Sequence, residues 1–168
     1  MNHTVKVNLT DTDLFKFLMY HNYHGAQGKL GIVVALLAFL AAGMTFGRVE
    51  MLYTVLYIVC GVVFLVYTPL SLKFKALRQF QLAPDLGEEM TYEFSDEGIR
   101  SSIKDQSVQV KWINLFKIVG KGDYIYIYTD RLHASIIPKR CIEVYEGLVE
   151  FMELKTPKGK VKITKCIK

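Results

Sequence analysis

LGIVVALLAFLAAGMTFG, residues 30–47, and MLYTVLYIVCGVVFLVYTPLSL, residues 51–72, decide how the rest of the chain is read. Neither contains a charged side chain, the first over 18 residues and the second over 22. As helices rising about 1.5 Å per residue they are about 27 Å and about 33 Å long, against a hydrocarbon core of roughly 30 Å. Only Arg48, Val49 and Glu50 separate them, enough for a tight hairpin and nothing more. A chain of 168 residues has too little else to surround two wholly apolar helices in water, so the pair is read as a transmembrane hairpin.

Within the hairpin, Gly31, Ala35, Ala38 and Ala42 recur at i, i+4, i+7 and i+11, and Gly43 and Gly47 add a G-x-x-x-G on a neighbouring face. Lipid supplies no hydrophobic drive between helices, so close backbone approach must hold them, and these small residues are the candidate packing positions. Gly61 is their counterpart in the second span. Tyr53, Tyr57 and Tyr67 suit the interfaces or the helix contact, and Pro69 is expected to kink the exit. No ionisable residue lies inside either span. Proton relays, ion pathways and voltage sensors need one, so the hairpin is an anchor rather than a transporter.

The flanks set an orientation. Lys29 precedes the first span and Lys73, Lys75 and Arg78 follow the second, whereas Arg48 in the turn is balanced by Glu50. The positive-inside rule then puts both termini in the cytoplasm.

Outside the hairpin, enough chain remains for one small soluble domain. The formal charge of +5 misleads as a whole-chain number, because residues 155–168 carry six lysines and no acid, leaving −1 for the rest. Cys60, Cys141 and Cys166 are scattered without a C-x-x-C, and the odd count argues against a disulfide framework. Nothing implies a metal or a cofactor. His21 and His24 stand at i, i+3 but lack a third ligand or an acidic partner, and are read as interfacial histidines.

The N-terminal TVKVNL, residues 4–9, alternates as a half-buried strand, and Thr10 with Asp13 forms a capping-box start for an aromatic-rich interfacial helix reaching roughly His24. Beyond the second span, residues 73–81 continue as a basic helical or extended link, and Ala83-Pro84-Asp85-Leu86-Gly87 is a linker. Strands are then expected at 90–94, 99–104, 107–113, 115–119, 124–129 and 132–137, separated by Ser95–Gly98, Asp105-Gln106, Gly120–Asp123 and Asp130-Arg131. Tyr145, Leu148, Val149 and Met152 form the apolar face of a closing helix, with Glu143, Glu146, Glu150 and Glu153 opposite. The early strand 4–9 is a candidate additional strand of this sheet. Val161 and Ile163 permit another in the tail.

The stretches EFSDEGI (93–99), VKWINLFKI (110–118), DYIYIY (123–128) and IIPKR (136–140), after two apolar spans, resemble the YcxB-like family of bacterial membrane proteins. The resemblance covers most of the chain but not the tail after Pro157. It implies a pleckstrin-homology-like domain on a two-span anchor and brings little function with it. The fold class expected is therefore an α+β membrane protein, a transmembrane helical hairpin plus a small PH-like bent sheet closed by a C-terminal helix. Its parts are an N-terminal strand and interfacial helix (1–29), the hairpin (30–72), a basic linker (73–87), the cytoplasmic domain (88–154) and a basic tail (155–168).

No nucleophile elbow, metalloprotease motif or phosphate-cradling loop is present, and Gly120-Lys121-Gly122 lacks the strand–loop–helix setting of one. Trp112 is read as a core anchor. Tyr124, Tyr126 and Tyr128 project from one side of a strand and are a candidate partner surface if that side is half-exposed. Lys139 and Arg140 end a strand where a helix is expected to start, and two cations there make a candidate anion- or partner-binding site. The lysine tail is a second candidate contact with anionic lipid. The function expected is a membrane-tethered binding or scaffolding module without catalysis, or else a lipid- or ligand-sensing regulatory subunit of a larger membrane complex. Partners are the membrane and an unidentified protein or anionic lipid, and nothing points to nucleic acid. A C-terminal alkaline phosphatase fusion is expected to be inactive and a C-terminal fluorescent reporter active, and periplasmic phosphatase activity overturns the orientation.

Overall fold

Alternating apolar residues and turn chemistry build a β-rich unit from the two ends of the chain, and the apolar runs build a separate helical one. The computed structural model describes residues 3–104 and 106–163, so Lys165, Cys166 and Lys168 of the tail and Asp105 of one expected turn lie outside the described residues. One unit comprises Met1–Asp13 and Leu82–Lys168, the other Leu14–Gln81.

In the first unit, β1 (His3–Val7), β2 (Met90–Phe94), β3 (Gly98–Ile103) and β4 (Gln106–Lys111) form an antiparallel sheet in that order. The register pairs Val5 with Tyr92 and Val7 with Met90, so the N-terminal strand joins a partner made after both apolar helices. Its alternation is the usual half-buried pattern: Val5 and Val7 are buried, Thr4 and Lys6 exposed. Lys6 is tied to Glu89 at 2.8 Å.

The expected strand 107–113 stops at Lys111, and Trp112–Asn114 is a 3-10 turn. The indole explains the break. Trp112 is buried, its Nε1 donates to the Ser95 carbonyl at 2.9 Å, and its ring stands edge-on to Phe151 at 6.0 Å. Turning inward to reach these partners ends the ladder and starts a second sheet. That sheet runs β7 (Ala134–Pro138), β6 (Tyr124–Tyr128), β5 (Lys117–Lys121) and β8 (Val161–Ile163). β5–β6 and β6–β7 are antiparallel, while β8 joins β5 in parallel, pairing Ile118 with Val161. Among the described residues the meander thus divides into two four-stranded sheets. Strand β5 includes Gly120 and Lys121, which were expected in a turn, and the turn is confined to Gly122-Asp123.

Helix α4 (Tyr145–Lys155) buries Leu148, Val149, Phe151 and Met152. It begins later than the strand end suggested, because the 3-10 turn Lys139–Cys141 and then Ile142–Val144 intervene. In the tail, Lys155 pairs with Asp96 at 2.7 Å, and Lys160 Nζ donates to the carbonyls of Ile113 (2.9 Å) and Leu115 (2.7 Å). Two lysines of the basic tail are therefore structural ties.

The second unit contains most of α1 (Asp11–His24), α2 (Ala26–Thr45) and α3 (Met51–Leu82). Gly28–Thr45 and Met51–Leu82 are long and apolar enough to cross a membrane. α3 runs through Pro69 to Leu82, so residues 73–82 of the expected linker are helical. Proline removes one backbone donor, but Lys73, Lys75, Ala76, Leu77, Arg78 and Gln79 are helix formers that carry the pattern on. Along α2, Ala35 and Ala42 are buried, with Gly31 and Ala38 between buried and exposed. A methyl group on Gly61 would meet the Phe39 ring at 2.8 Å, which is why the second helix is small there. The Thr45 and Thr54 hydroxyls come within 3.5 Å across the hairpin.

Gly43 and Gly47 play a different part from the packing motif expected of them. Nothing lies within 4 Å of a Cβ built on either, and Gly47 stands past the end of α2 at φ +71°, the left-handed conformation that turns the hairpin.

Gly98 marks the tightest approach of the first sheet, since a Cβ there would sit 2.3 Å from the Val110 carbonyl oxygen. Backbone cannot yield as a flexible side chain does. Gly98→Ala is expected to destabilise the β-rich unit by about 1–3 kcal/mol, read as a lowered Tm with unchanged helix content. An unchanged Tm would contradict the register drawn between β3 and β4.

Candidate functional site

The end of β1, the start of α1, the first residue of β6 and the turn after β7 meet on one carboxylate. Thr10 caps α1, and the acid three residues on closes the capping box. The Thr10 backbone N–H donates to Asp13 Oδ2 at 2.8 Å, its hydroxyl donates to the same oxygen at 2.8 Å, and the Asp13 N–H donates to the Thr10 hydroxyl at 3.3 Å. Two distant residues complete the shell. Tyr124 Oη donates to Oδ1 at 2.7 Å, and the Arg140 guanidinium grips both oxygens, Nη1 to Oδ1 at 2.8 Å and Nη2 to Oδ2 at 2.5 Å. Arg140 Nη2 also donates to the Asn8 carbonyl at 3.3 Å.

Asp13 is 1% exposed. Burial alone would raise its carboxyl pKa, but the hydrogen bonds from Arg140, Tyr124 and Thr10 outweigh it and hold the group well below the usual carboxylate range. The Arg140 guanidinium is correspondingly raised, first by its hydrogen bonds to Asp13. With its acceptor sites all engaged, Asp13 is an ion-pair hub and not a proton acceptor awaiting a substrate.

The residues singled out from sequence fall in three places. Arg140 answers the expectation of an anion nearby with a carboxylate from the same chain. Lys139 holds its Nζ 4.7 Å from the Tyr145 ring centroid, and its N–H donates to the Asp123 carbonyl at 2.8 Å. Neither cation stands at the N-terminus of α4. Tyr124, Tyr126 and Tyr128 are buried along with Ile125 and Ile127 between them, so the half-exposed tyrosine face does not exist. β6 lies inside its sheet, flanked by β5 and β7, and Tyr124 and Tyr126 stack at 5.9 Å with nearly parallel rings.

Sequence reading found the capping box and the cations separately. What it missed is that Asp13 joins them, across separations of 111 residues to Tyr124 and 127 to Arg140. The acid at the third helical position was visible in sequence, but its burial, which demands a cation, was not. Beside Arg140, an open groove of about 460 Å³ is lined by Thr4, Lys6, Arg140, Cys141, Ile142 and Glu143. Among the described residues no group of three or more His, Cys, Asp or Glu side chains is placed to hold a metal ion.

Residues 94–152 match the family model described as YcxB-like protein. This segment is YcxB-like. It takes in β3 to β7 and most of α4, including Trp112, Tyr124 and Arg140, but not Asp13. No curated protein and no solved structure was found to match the chain.

The ion pair sets a pH signature. Asp13 titrates below its ordinary value in the fold, so its stabilisation is fully present above about pH 4 and is lost as pH falls towards the folded value. Arg140→Gln leaves a buried carboxylate without its cation, and is expected to cost about 2–4 kcal/mol at pH 7, moderated by the half-exposed position of Arg140. Without that cation the Asp13 carboxyl titrates higher than in wild type, so the deficit against wild type should shrink as pH falls from neutral into the acid range where the wild-type group is still ionised. Chemical denaturation across that range checks it, and a deficit that stays constant contradicts the role given to Asp13.

Proposed function

We propose that this chain is a membrane-tethered binding or scaffolding module, its apolar hairpin lodged in a bacterial inner membrane and its YcxB-like segment forming the core of a cytoplasmic, PH-like domain. The observation that carries this reading is the exposure of the two helices. Only 17% of Gly28–Thr45 is buried, Met51–Leu82 buries Thr54, Gly61 and Ala76 alone, and Leu40 (62%), Leu52 (71%) and Val63 (54%) are among many large apolar side chains left open. Such continuous apolar surface is unstable in water and suits hydrocarbon. Two sheets with a C-terminal helix support the PH-like comparison.

Binding is favoured over catalysis because the one buried carboxylate among the described residues has its hydrogen-bonding capacity taken up internally. The groove lined by Thr4, Lys6, Arg140, Cys141, Ile142 and Glu143 favours a second reading, a sensing subunit that takes a small polar ligand beside β1.

Isolation from membranes in mild detergent separates these. Sedimentation with the membrane fraction, resistant to high salt and alkali, is expected, and release by salt alone overturns the tether. A stoichiometric protein partner in the purified material supports scaffolding, and a bound small molecule without such a partner supports sensing.

A further inference from the structure

The second sheet has a chemical asymmetry that the Asp13 cluster leaves unused. Lys121 is paired with Tyr124, Lys117 with Tyr128, and Lys162 of β8 with Val119 of β5. Paired residues project to the same side of a sheet, and alternate residues of one strand share a side, so all three lysines stand on the tyrosine side. The contact between Lys117 Nζ and the Tyr128 ring, 4.5 Å to its centroid, agrees. The other side carries Ile118, Ile125, Ile127 and Ile137, all buried. The tyrosines are buried too, which leaves the flanking lysines as the accessible part of their side: Lys121 and Lys162 are exposed and Lys117 half-buried. None of the four strands contains an Asp or Glu.

The same side of the sheet holds one of the two points at which the chain passes between the units, the other being Gln81-Leu82. Tyr124, the cross-strand neighbour of Lys121, donates to Asp13, and Asp13 is the last residue of its unit before Leu14. We propose that Lys117, Lys121 and Lys162 form a contact surface for the anionic headgroups of the bilayer that holds the helices. The proposal rests on the membrane reading and adds which face of the domain meets the lipid, and through which charges. Lysine suits this partner because its ammonium is a compact charge on a flexible stem, matched to mobile phosphates rather than to one fixed geometry. A row of cations with no acid among them, on the side where the Asp13 junction lies, favours a bilayer over an acidic protein. Lys155 and Lys160 are excluded, since Asp96 and the Ile113 and Leu115 carbonyls hold them.

The test uses the full chain in nanodiscs of phosphatidylcholine, with or without about 30% phosphatidylglycerol, and reads acylation rates of individual lysines by mass spectrometry. Lys117, Lys121 and Lys162 are expected to react about threefold or more slowly in the anionic discs, and to recover at about 0.5 M salt. Lys155, bound to its own acid, is expected to react equally in both. Equal rates for the three lysines in the two lipids overturn the proposal while leaving the tether intact. Protection by inorganic phosphate in phosphatidylcholine discs, matching that of the anionic lipid, overturns it in favour of a small-anion site. Failure of the chain to enter nanodiscs at all overturns the membrane reading itself.

Discussion

One carboxylate ties together parts of the β-rich unit that lie 111 and 127 residues apart in sequence. Asp13 accepts hydrogen bonds from the first turn of its own helix, from a strand in the second sheet and from the turn that follows the sheet's edge. A carboxylate buried without partners costs several kcal/mol, so the site tolerates only the conformation in which Thr10, Tyr124 and Arg140 all arrive. That requirement makes it a device of specificity more than of net stability. It fixes how the chain passes from β1 into the first turn of α1, and which oxygen faces which donor. An apolar replacement would bury as much surface and impose no such choice.

The second constraint is geometric. A meander of alternating strands has no reason of its own to stop being one sheet, and Trp112 supplies it. Reaching the Ser95 carbonyl and Phe151 pulls the indole inward, the chain turns through Trp112–Asn114, and β5 starts a new ladder whose far edge is closed by β8. Lys160, set just before β8, donates to two carbonyls of that same stretch, so the break and the closing strand fasten each other.

Much of this was legible in the sequence because it depends on local period. Two uncharged runs, the alternations of Val5 and Val7 and of MTYEF, and the i, i+3, i+4, i+7 face of α4 each declare an element and one of its faces. What escaped is what period does not encode. Alternation runs unbroken through SVQVKWI, and only the hydrogen-bond partner of Trp112 shows that the strand ends at Lys111. YIYIYT alternates as a half-exposed strand does, yet β6 has both faces covered. Lys139 and Arg140 looked like a pair at a helix start, whereas one is an internal counter-ion and the other lies by a ring. The glycines at 43 and 47 have the spacing of a packing motif, but one faces open space and the other makes the turn.

The pairing of β1 with β2 bears on the order of synthesis. The first strand is translated before either apolar helix, and its partner only after both. At about 5–20 residues per second it waits on the order of ten seconds, while the intervening chain is being made, with its edges unpaired. A nascent strand in that state is an invitation to wrong partners. HTVKV, five residues long with a lysine at its fourth position, is a sequence that bears such a delay: too short and too charged in the middle to nucleate a ladder alone, and able to dock once Met90–Phe94 presents the surface. The composition of β1 is thus shaped by the time it must spend unpaired as well as by the place it finally occupies.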